Sequence, residues 1–441
     1  MTTPASGPKV INRREFLKLG GVGIAGVSLL GAAGCSKGER EGPAKLIFTH
    51  GPDGAQIWQE QIDRFNRRHQ GEIKVVLHQA PADTGQYFEM LRTGFQAGET
   101  RADVISGDVI WPAQFAAKGW ISDLSNRFSP DLQSRHLPGA IASNTSDGGI
   151  YGVPWFTDAG MLYYRKDLLE KSGFSEAPRT WDKLMEISQK VQRDQNIKYG
   201  YAFQGADYEG GVVNALEFVW NAGGDVLGPK DRVVIGEPRA VDGLRAARGM
   251  VESGTSPEAV SSFKELEAYT VFLAGDAVFM RNWPFVYALS SNPSLSKVKP
   301  EQIGLAPLPT ARSGERSSSG LGGWNLMINA ATHKMDAAWA FIEYLSGSEQ
   351  QKERALKGGY LPTLKALYDD SEILKEVPVA ALGKEAIKNV RSRPTSPYYY
   401  DMSLAISGRF HASLTGSISP KEEAAALQRD LQKILARAEK L

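Results

Sequence analysis

Apolar residues recur along this chain in two rhythms. Short apolar runs bounded by Gly and Pro read as strands, and longer stretches with apolar residues three and four apart read as helices. Residues 45–49 form the first strand-like run. The loop His50-Gly51-Pro52-Asp53-Gly54 leads into a helix with Ile57, Trp58, Ile62 and Phe65 on one face. Residues 72–78 are a second strand. Asp83 or Thr84 can then cap a helix that carries Tyr87, Phe88, Leu91 and Phe95, and residues 102–105 are a third, buried strand. This β-α-β-α-β order predicts a parallel sheet flanked by helices. Ligands gather at the carboxyl ends of strands in such sheets. That places Gly54, Asp83, Asp108 and Trp111 on one rim. Asp108 can accept hydroxyl hydrogens and the Trp111 indole offers a flat apolar face, whereas Asp53 and Asp83 equally suit plain helix caps.

The stretch 152–169 is the pivot of the pattern. It opens with Gly152-Val-Pro, runs through Trp155, Phe156 and Asp158, and reaches a charged helix start at Arg165. Pro154 suits the first residue or edge of a strand. Asp158 among aromatic rings is costly to bury unless something hydrogen-bonds it. That partner is either a turn or a ligand hydroxyl.

Further along, Thr180 caps a helix with Trp181, Leu184, Ile187 and Val191 inward, and residues 199–204 are strand-like. Residues 207–211 read as a loop, on which Glu209 is a hydroxyl acceptor or a solvated charge. A helix at 266–273 leads to a strand at 277–280. Arg281-Asn-Trp283-Pro284-Phe285 follows, with Pro284 opening a helix. Trp283 and Phe285 at a strand end are either core or site. Residues 303–309 are strand-like. In Leu321-Gly322-Gly323-Trp324, two glycines permit close backbone approach and Trp324 supplies another ring. Gly358-Gly-Tyr360-Leu-Pro-Thr is a turn, and the segment from Arg393 to Tyr400 is a Pro-stiffened aromatic loop. Ser419-Pro-Lys-Glu422 is a capping box opening the last helix.

Composition and charge narrow the chemistry. With 441 residues, the chain is long enough for two or three domains. Net charge is +1. Four of the basic residues (Lys9, Arg13, Arg14 and Lys18) and one acid (Glu15) precede residue 35, so the remainder is slightly acidic and nucleic acid is not an indicated partner. The single cysteine, Cys35, excludes an intrachain disulfide and a cysteine-rich zinc site. The six histidines show no metal-ligand spacing, and no metal or cofactor is called for. Arg13-Arg14-Glu-Phe-Leu-Lys resembles a twin-arginine export signal, and the apolar segment at 19–30 is short for a membrane span. Ala32-Ala-Gly-Cys35 resembles a lipoprotein cleavage box that would make Cys35 a lipidation site; an ordinary signal cut nearby is the alternative. Residues 36–44 read as a flexible tether.

Taken together, the chain is similar to family 1 extracellular solute-binding proteins of bacterial ABC importers, and within them to binders of trehalose, maltose and related α-glucosides. The resemblance rests on Asp158-Ala-Gly-Met-Leu-Tyr-Tyr-Arg-Lys-Asp-Leu-Leu, Arg281-Asn-Trp-Pro-Phe, Gly322-Gly-Trp and Gly358-Gly-Tyr-Leu-Pro-Thr. It implies an α/β fold of two lobes, each a mostly parallel sheet flanked by helices, hinged about a cleft that closes on ligand. The lobes would be 45–154 with 304–350, and 155–303 with 351–441. Crossings are implied near 153–156, 303–308 and 346–359.

The resemblance also implies a sugar site at Asp108, Phe156, Asp158, Trp283, Phe285, Gly322, Gly323, Trp324 and Arg393. Phe156 and Phe285 stand where tyrosines are common, which removes two hydroxyl contacts. The implied protein is a monomer, held outside the cytoplasm by a lipid anchor, that captures a carbohydrate and hands it to permease subunits. It needs no cofactor and performs no catalysis. Three alternatives remain: a binder of glycerol phosphate or another polar solute, a ferric-ion binder using Tyr398-Tyr399-Tyr400, and a secreted glycoside hydrolase using paired acids.

Overall fold

Twelve strands order the chain in the computed structural model, which describes residues 42–52, 57–99, 101–416 and 418–438. Arg13, Arg14, Cys35 and Gly54 lie outside the described residues. In chain order the strands are β1 (Ala44–His50), β2 (Ile73–Gln79), β3 (Val104–Asp108), β4 (Thr145–Ser146), β5 (Gly149–Ile150), β6 (Val153–Ala159), β7 (Met161–Arg165), β8 (Tyr199–Ala202), β9 (Ala277–Asn282), β10 (Ile303–Ala306), β11 (Ser319–Ile328) and β12 (Val390–Arg391).

The first sheet runs β12-β11-β3-β1-β2, with β6 also paired to β11. β1 is parallel to β2 and β3, as the βαβ pattern predicts, while β11 is antiparallel to both β3 and β6. The second sheet runs β10-β7-β9-β8. Only its β8–β9 pair is parallel; β7 is antiparallel to β9 and β10. The second sheet is thus mixed rather than mostly parallel. The reason lies in the pivot: β6 continues into β7 through Gly160 alone, with no crossover helix to set a parallel neighbour. The implied boundaries at 154/155 and 303/304 fall at the start of β6, which stays in the first sheet to Ala159, and at the start of β10, which pairs in the second sheet.

Each sheet has its own core. Phe48, Phe65, Trp155, Phe341 and Ile342 pack around the first, and a second cluster there holds Tyr87, Phe88, Trp111 and Phe115. The helix Ile57–Arg68 buries Ile57, Trp58, Ile62 and Phe65 and turns its charges outward. Each such side chain contributes about 1.5–3 kcal/mol by burial. The second core joins Leu162, Tyr163, Phe218, Phe272 and Phe279 to Met402, Ile406 and Leu427 of the last two helices. The two lobes are the elements around these two sheets. Helix Pro420–Ala438 begins at the expected capping box, with Glu422 N–H donating to Ser419 Oγ (3.3 Å) and Ser419 N–H to Glu422 Oε2 (3.2 Å).

Three elements differ from the sequence reading. β3 starts at Val104 and reaches Asp108 rather than spanning 102–105, because the Asp103 carboxylate accepts from the Ile47 N–H (2.8 Å) while Asp108 stays in register with Trp324. Glu209 opens the helix Glu209–Asn221 instead of sitting on a loop. An acid suits a helix start. Gly210 and Gly211 fit the first turn because a Cβ there would lie 2.1 Å from the Tyr208 hydroxyl and 2.2 Å from the Ala206 carbonyl oxygen. After Pro284, only the four residues Val286–Leu289 are helical.

Candidate functional site

β6 and β11 carry the centre of the site, one residue at a time. In this antiparallel pair Asp158 lies opposite Gly322, and Phe156 opposite Trp324. Gly322 is needed where it stands: a Cβ there would come within 2.8 Å of the Trp283 ring and 3.0 Å of Asp158 Cβ. Gly323 has φ +117°, and its Cβ would lie 2.4 Å from the Phe156 carbonyl oxygen. Gly322 therefore lets Trp283 of the second lobe lie on the strands of the first, and Gly323 lets β11 close onto β6.

The turn that presents Trp283 is tied down from several directions. Asn282 Oδ1 accepts from the Trp283 N–H (2.9 Å), and the Tyr163 hydroxyl of β7 donates to the Trp283 and Pro284 carbonyls (2.7 and 3.1 Å). The Arg281 guanidinium lies 3.9 Å from the centre of the Trp283 ring. Trp283 Nε1–H donates to Glu265 Oε1 (3.3 Å), whose other oxygen accepts from Tyr208 (2.7 Å). Phe156 stacks on Trp58 (5.9 Å between ring centres, 10° between planes) and packs against Tyr360 (4.9 Å). Tyr360 in turn stacks with Phe285 (6.5 Å, 23°). An aromatic ladder thus runs from Trp58 in the first lobe to Phe285 in the second.

The acids differ sharply in their company. Asp158 is buried, and among the described residues its Oδ1 has no hydrogen-bond partner. Burial pushes its carboxyl well above the ordinary range, opposed by the Arg281 charge and reinforced by Asp108. Asp108 Oδ1 accepts from Arg393 Nη2 (2.7 Å), and Glu209 Oε1 accepts from Arg393 Nη1 (2.6 Å). Glu209 also accepts from the Tyr399 (2.6 Å) and Ser403 hydroxyls. Burial raises the Glu209 pKa, and the Arg393 charge opposes that rise. Glu209 is therefore an ion-paired partner of Arg393, not a solvated charge.

The remaining candidates sit at the edge. Asp83 caps helix Thr84–Gln96 by accepting from the Gln86 N–H (3.0 Å), and it pairs with Lys264 across the cleft. Trp111 is buried against Tyr87 and Phe88, and its ring meets Trp324 edge-on (5.7 Å). It lies in the core of the first lobe. Trp324 is half-buried, stacked on Tyr87 (6.0 Å, 18°) and edge-on to His50 (5.4 Å). A space of about 140 Å³ between the lobes is lined by Asp83, Trp111, Tyr208, Glu209, Tyr399 and Tyr400.

Sequence reasoning missed Trp58, Tyr208 and Glu265. Trp58 shares its helical spacing with core residues, and nothing in the sequence separates it from them. Tyr398-Tyr399-Tyr400 diverge in use: Tyr399 donates to Glu209, while Tyr400 stacks on Phe88 (4.3 Å, 16°).

Residues 51–352 match the family described as bacterial extracellular solute-binding protein. The chain belongs to that family. A "Probable ABC transporter-binding protein" of Deinococcus radiodurans is 34% identical over 88% of this chain and 91% of its own. A maltotriose-binding protein of Pyrococcus abyssi is 26% identical over 81% of this chain and 74% of its own. The solved structure of maltose-bound MalE3 from T. maritima is similar with a TM-score of 0.84 and 37% identity, covering 89% of this chain and 100% of that one.

Proposed function

We propose that this chain is the solute-binding subunit of an ABC importer and captures a neutral di- or oligosaccharide of the α-glucoside type between its lobes. One observation carries the choice of a neutral, hydroxyl-rich solute: both cleft arginines are already matched by carboxylates. Arg393 faces Asp108 and Glu209, and Arg281 faces Glu217. A glycerol phosphate would need free guanidinium donors; a sugar needs acceptors for its hydroxyls and flat apolar faces for its C–H surfaces. Asp158, Asp108 and Glu209 supply the first. Trp283, Trp324, Phe156, Phe285 and Tyr360 supply the second. Gly322 and Gly323 let the backbone approach, and Arg393 holds the Asp108 and Glu209 carboxylates at the cleft. Asp83 lies at the rim, and Trp111 backs the site from the core of the first lobe. The likeness to a maltose-bound protein supports the same reading.

In this reading the lobes meet at Gly160 and at residues 307–318, and closure buries the sugar before the protein docks on permease subunits. Residues 1–35 comprise an export leader and its lipobox, cleavage leaves Cys35 as the N-terminus, and lipid on Cys35 holds a monomer outside the cytoplasmic membrane through the tether at 36–44. No catalysis is proposed; a chromogenic glucoside is expected to stay intact.

A thermal-shift panel of maltose, trehalose, sucrose, maltotriose and glycerol 3-phosphate tests the proposal. A ligand at a hundred times its Kd adds about 2.7 kcal/mol of stability. A shift with a glucoside that Trp283→Ala or Asp158→Asn removes supports the reading. A shift with glycerol 3-phosphate alone overturns the sugar and keeps the transporter.

A further inference from the structure

A buried ion pair stands where the lobes join. Glu217 and Arg281 are both almost fully buried, and they bind through two parallel hydrogen bonds, Nε to Oε2 (2.7 Å) and Nη2 to Oε1 (2.6 Å). Such a pair is costly to desolvate, and replacing one by well-packed hydrophobic residues of similar volume is often neutral for stability. Its position suggests what else it does. Glu217 Oε1 also accepts the Gly320 N–H (3.0 Å), at the start of β11, where the chain re-enters the first sheet. Next to Gly320, the Ser319 hydroxyl donates to the Gly160 carbonyl (2.7 Å), at the point where the chain leaves that sheet. Gly160 is pressed against the same pair: a Cβ there would lie 2.1 Å from Glu217 Oε1 and 2.5 Å from Arg281 Nη2. On the other side, the Arg281 guanidinium covers the Trp283 ring at 3.9 Å, and Gln204 Oε1 accepts from Arg281 Nη1 (3.1 Å).

We propose that Glu217 and Arg281 are positioning residues: the pair locks two strand crossings between the lobes to the ring that stacks on the solute. The proposal rests on the solute-binding reading of the cleft. Glu217 sets the crossing strands through Gly320, and the same carboxylate aims Arg281 beneath Trp283. The angle between the lobes and the placement of the ring then change together.

The test uses the full chain carrying Cys35→Ser, with nitroxide labels on cysteines introduced at Lys74 and Asp182, exposed residues of the first and second lobes. The variants are Glu217→Gln/Arg281→Gln, which removes both charges at once, and Gly160→Ala, which displaces the pair while keeping both charges. Maltotriose and maltose are the probes. Both variants are expected to lose about tenfold or more in affinity, as a coupling of this kind gives, and to broaden the sugar-free distance distribution between the labels. Combining them is expected to cost no more than the worse one alone, because neighbours acting through one contact are not additive. A folded double variant with unchanged affinity and an unchanged distance distribution overturns the proposal, whether or not Gly160→Ala folds. If neither sugar binds the parent protein, the sugar reading fails by itself. The sugar-free distances then decide: broadening supports the positioning role, and an unchanged distribution ends it.

Discussion

Asp158 and His50 lie near the same cleft and respond to pH in opposite senses. Burial raises the Asp158 pKa well above 3.8. The native state keeps that proton through a window in which the unfolded chain has released it. The native state then binds more protons, so this group makes stability fall as pH rises from the ordinary carboxylate value toward the elevated one. Asp158→Asn is expected to remove that slope and to raise stability at neutral pH. Urea denaturation at several pH values checks it; parallel profiles for the two proteins would sink the idea. His50 packs edge-on against Trp58, Trp155 and Trp324, and burial lowers its pKa from 6.5 to about 3. Here the unfolded chain binds the extra proton. Its contribution is complete above 6.5 and is lost as pH falls toward 3. His50→Gln is expected to flatten the acid limb of the same urea series while leaving the Asp158 slope in place.

At the level of elements, the strands that carry the site depend on glycines. Gly323→Ala forces a Cβ into a left-handed φ and against the Phe156 carbonyl, a loss of roughly 2–4 kcal/mol. Gly322→Ala meets the Trp283 ring and the Asp158 side chain first. It is expected to weaken sugar binding more than stability, and thermal melts with and without maltose separate the two. Much of this was legible in the sequence. The β1-β2-β3 pattern, the Asp83 cap and the paired glycines before Trp324 each carry a local signal. What was hidden depends on partners distant in the chain. Gly160 lies inside an apolar run that reads as one strand, and only the two sheets reveal it as the point where the chain changes lobe. Glu209 is distinguished from a loop acid by Arg393, 184 residues away. Trp58 has the spacing of a core residue and is one, with its ring also forming the end of the aromatic ladder.

At the scale of the molecule, two of the ionic contacts between the lobes differ in kind. Asp83–Lys264 lies at the rim, with the Lys264 side chain 43% exposed. Salt screens such a pair, and its net worth is about 0–1 kcal/mol. Lys264→Ala is therefore expected to change melting temperature little. Arg393 is different: its side chain is 2% exposed, and it bridges Asp108 at the end of β3 to Glu209 at the start of a second-lobe helix. Removing it leaves two buried carboxylates facing each other without a cation. Breaking a buried pair on one side costs about 3–5 kcal/mol. The protein has a second way to relieve this, which is to let the lobes separate and the acids reach water. Arg393→Ala is thus expected to lower the melting temperature and to enlarge the radius of gyration in solution scattering, with neither change abolished by high salt. The combined loss of charge in Asp108→Asn/Arg393→Gln leaves only Glu209, with its Tyr399 and Ser403 donors, and is expected to recover most of the stability and the compact radius. If Arg393→Ala is less stable but as compact as the parent, the bridge holds the fold and not the lobe closure. If the radius grows and the double variant restores it, charge matching across the cleft sets how far the lobes stand apart.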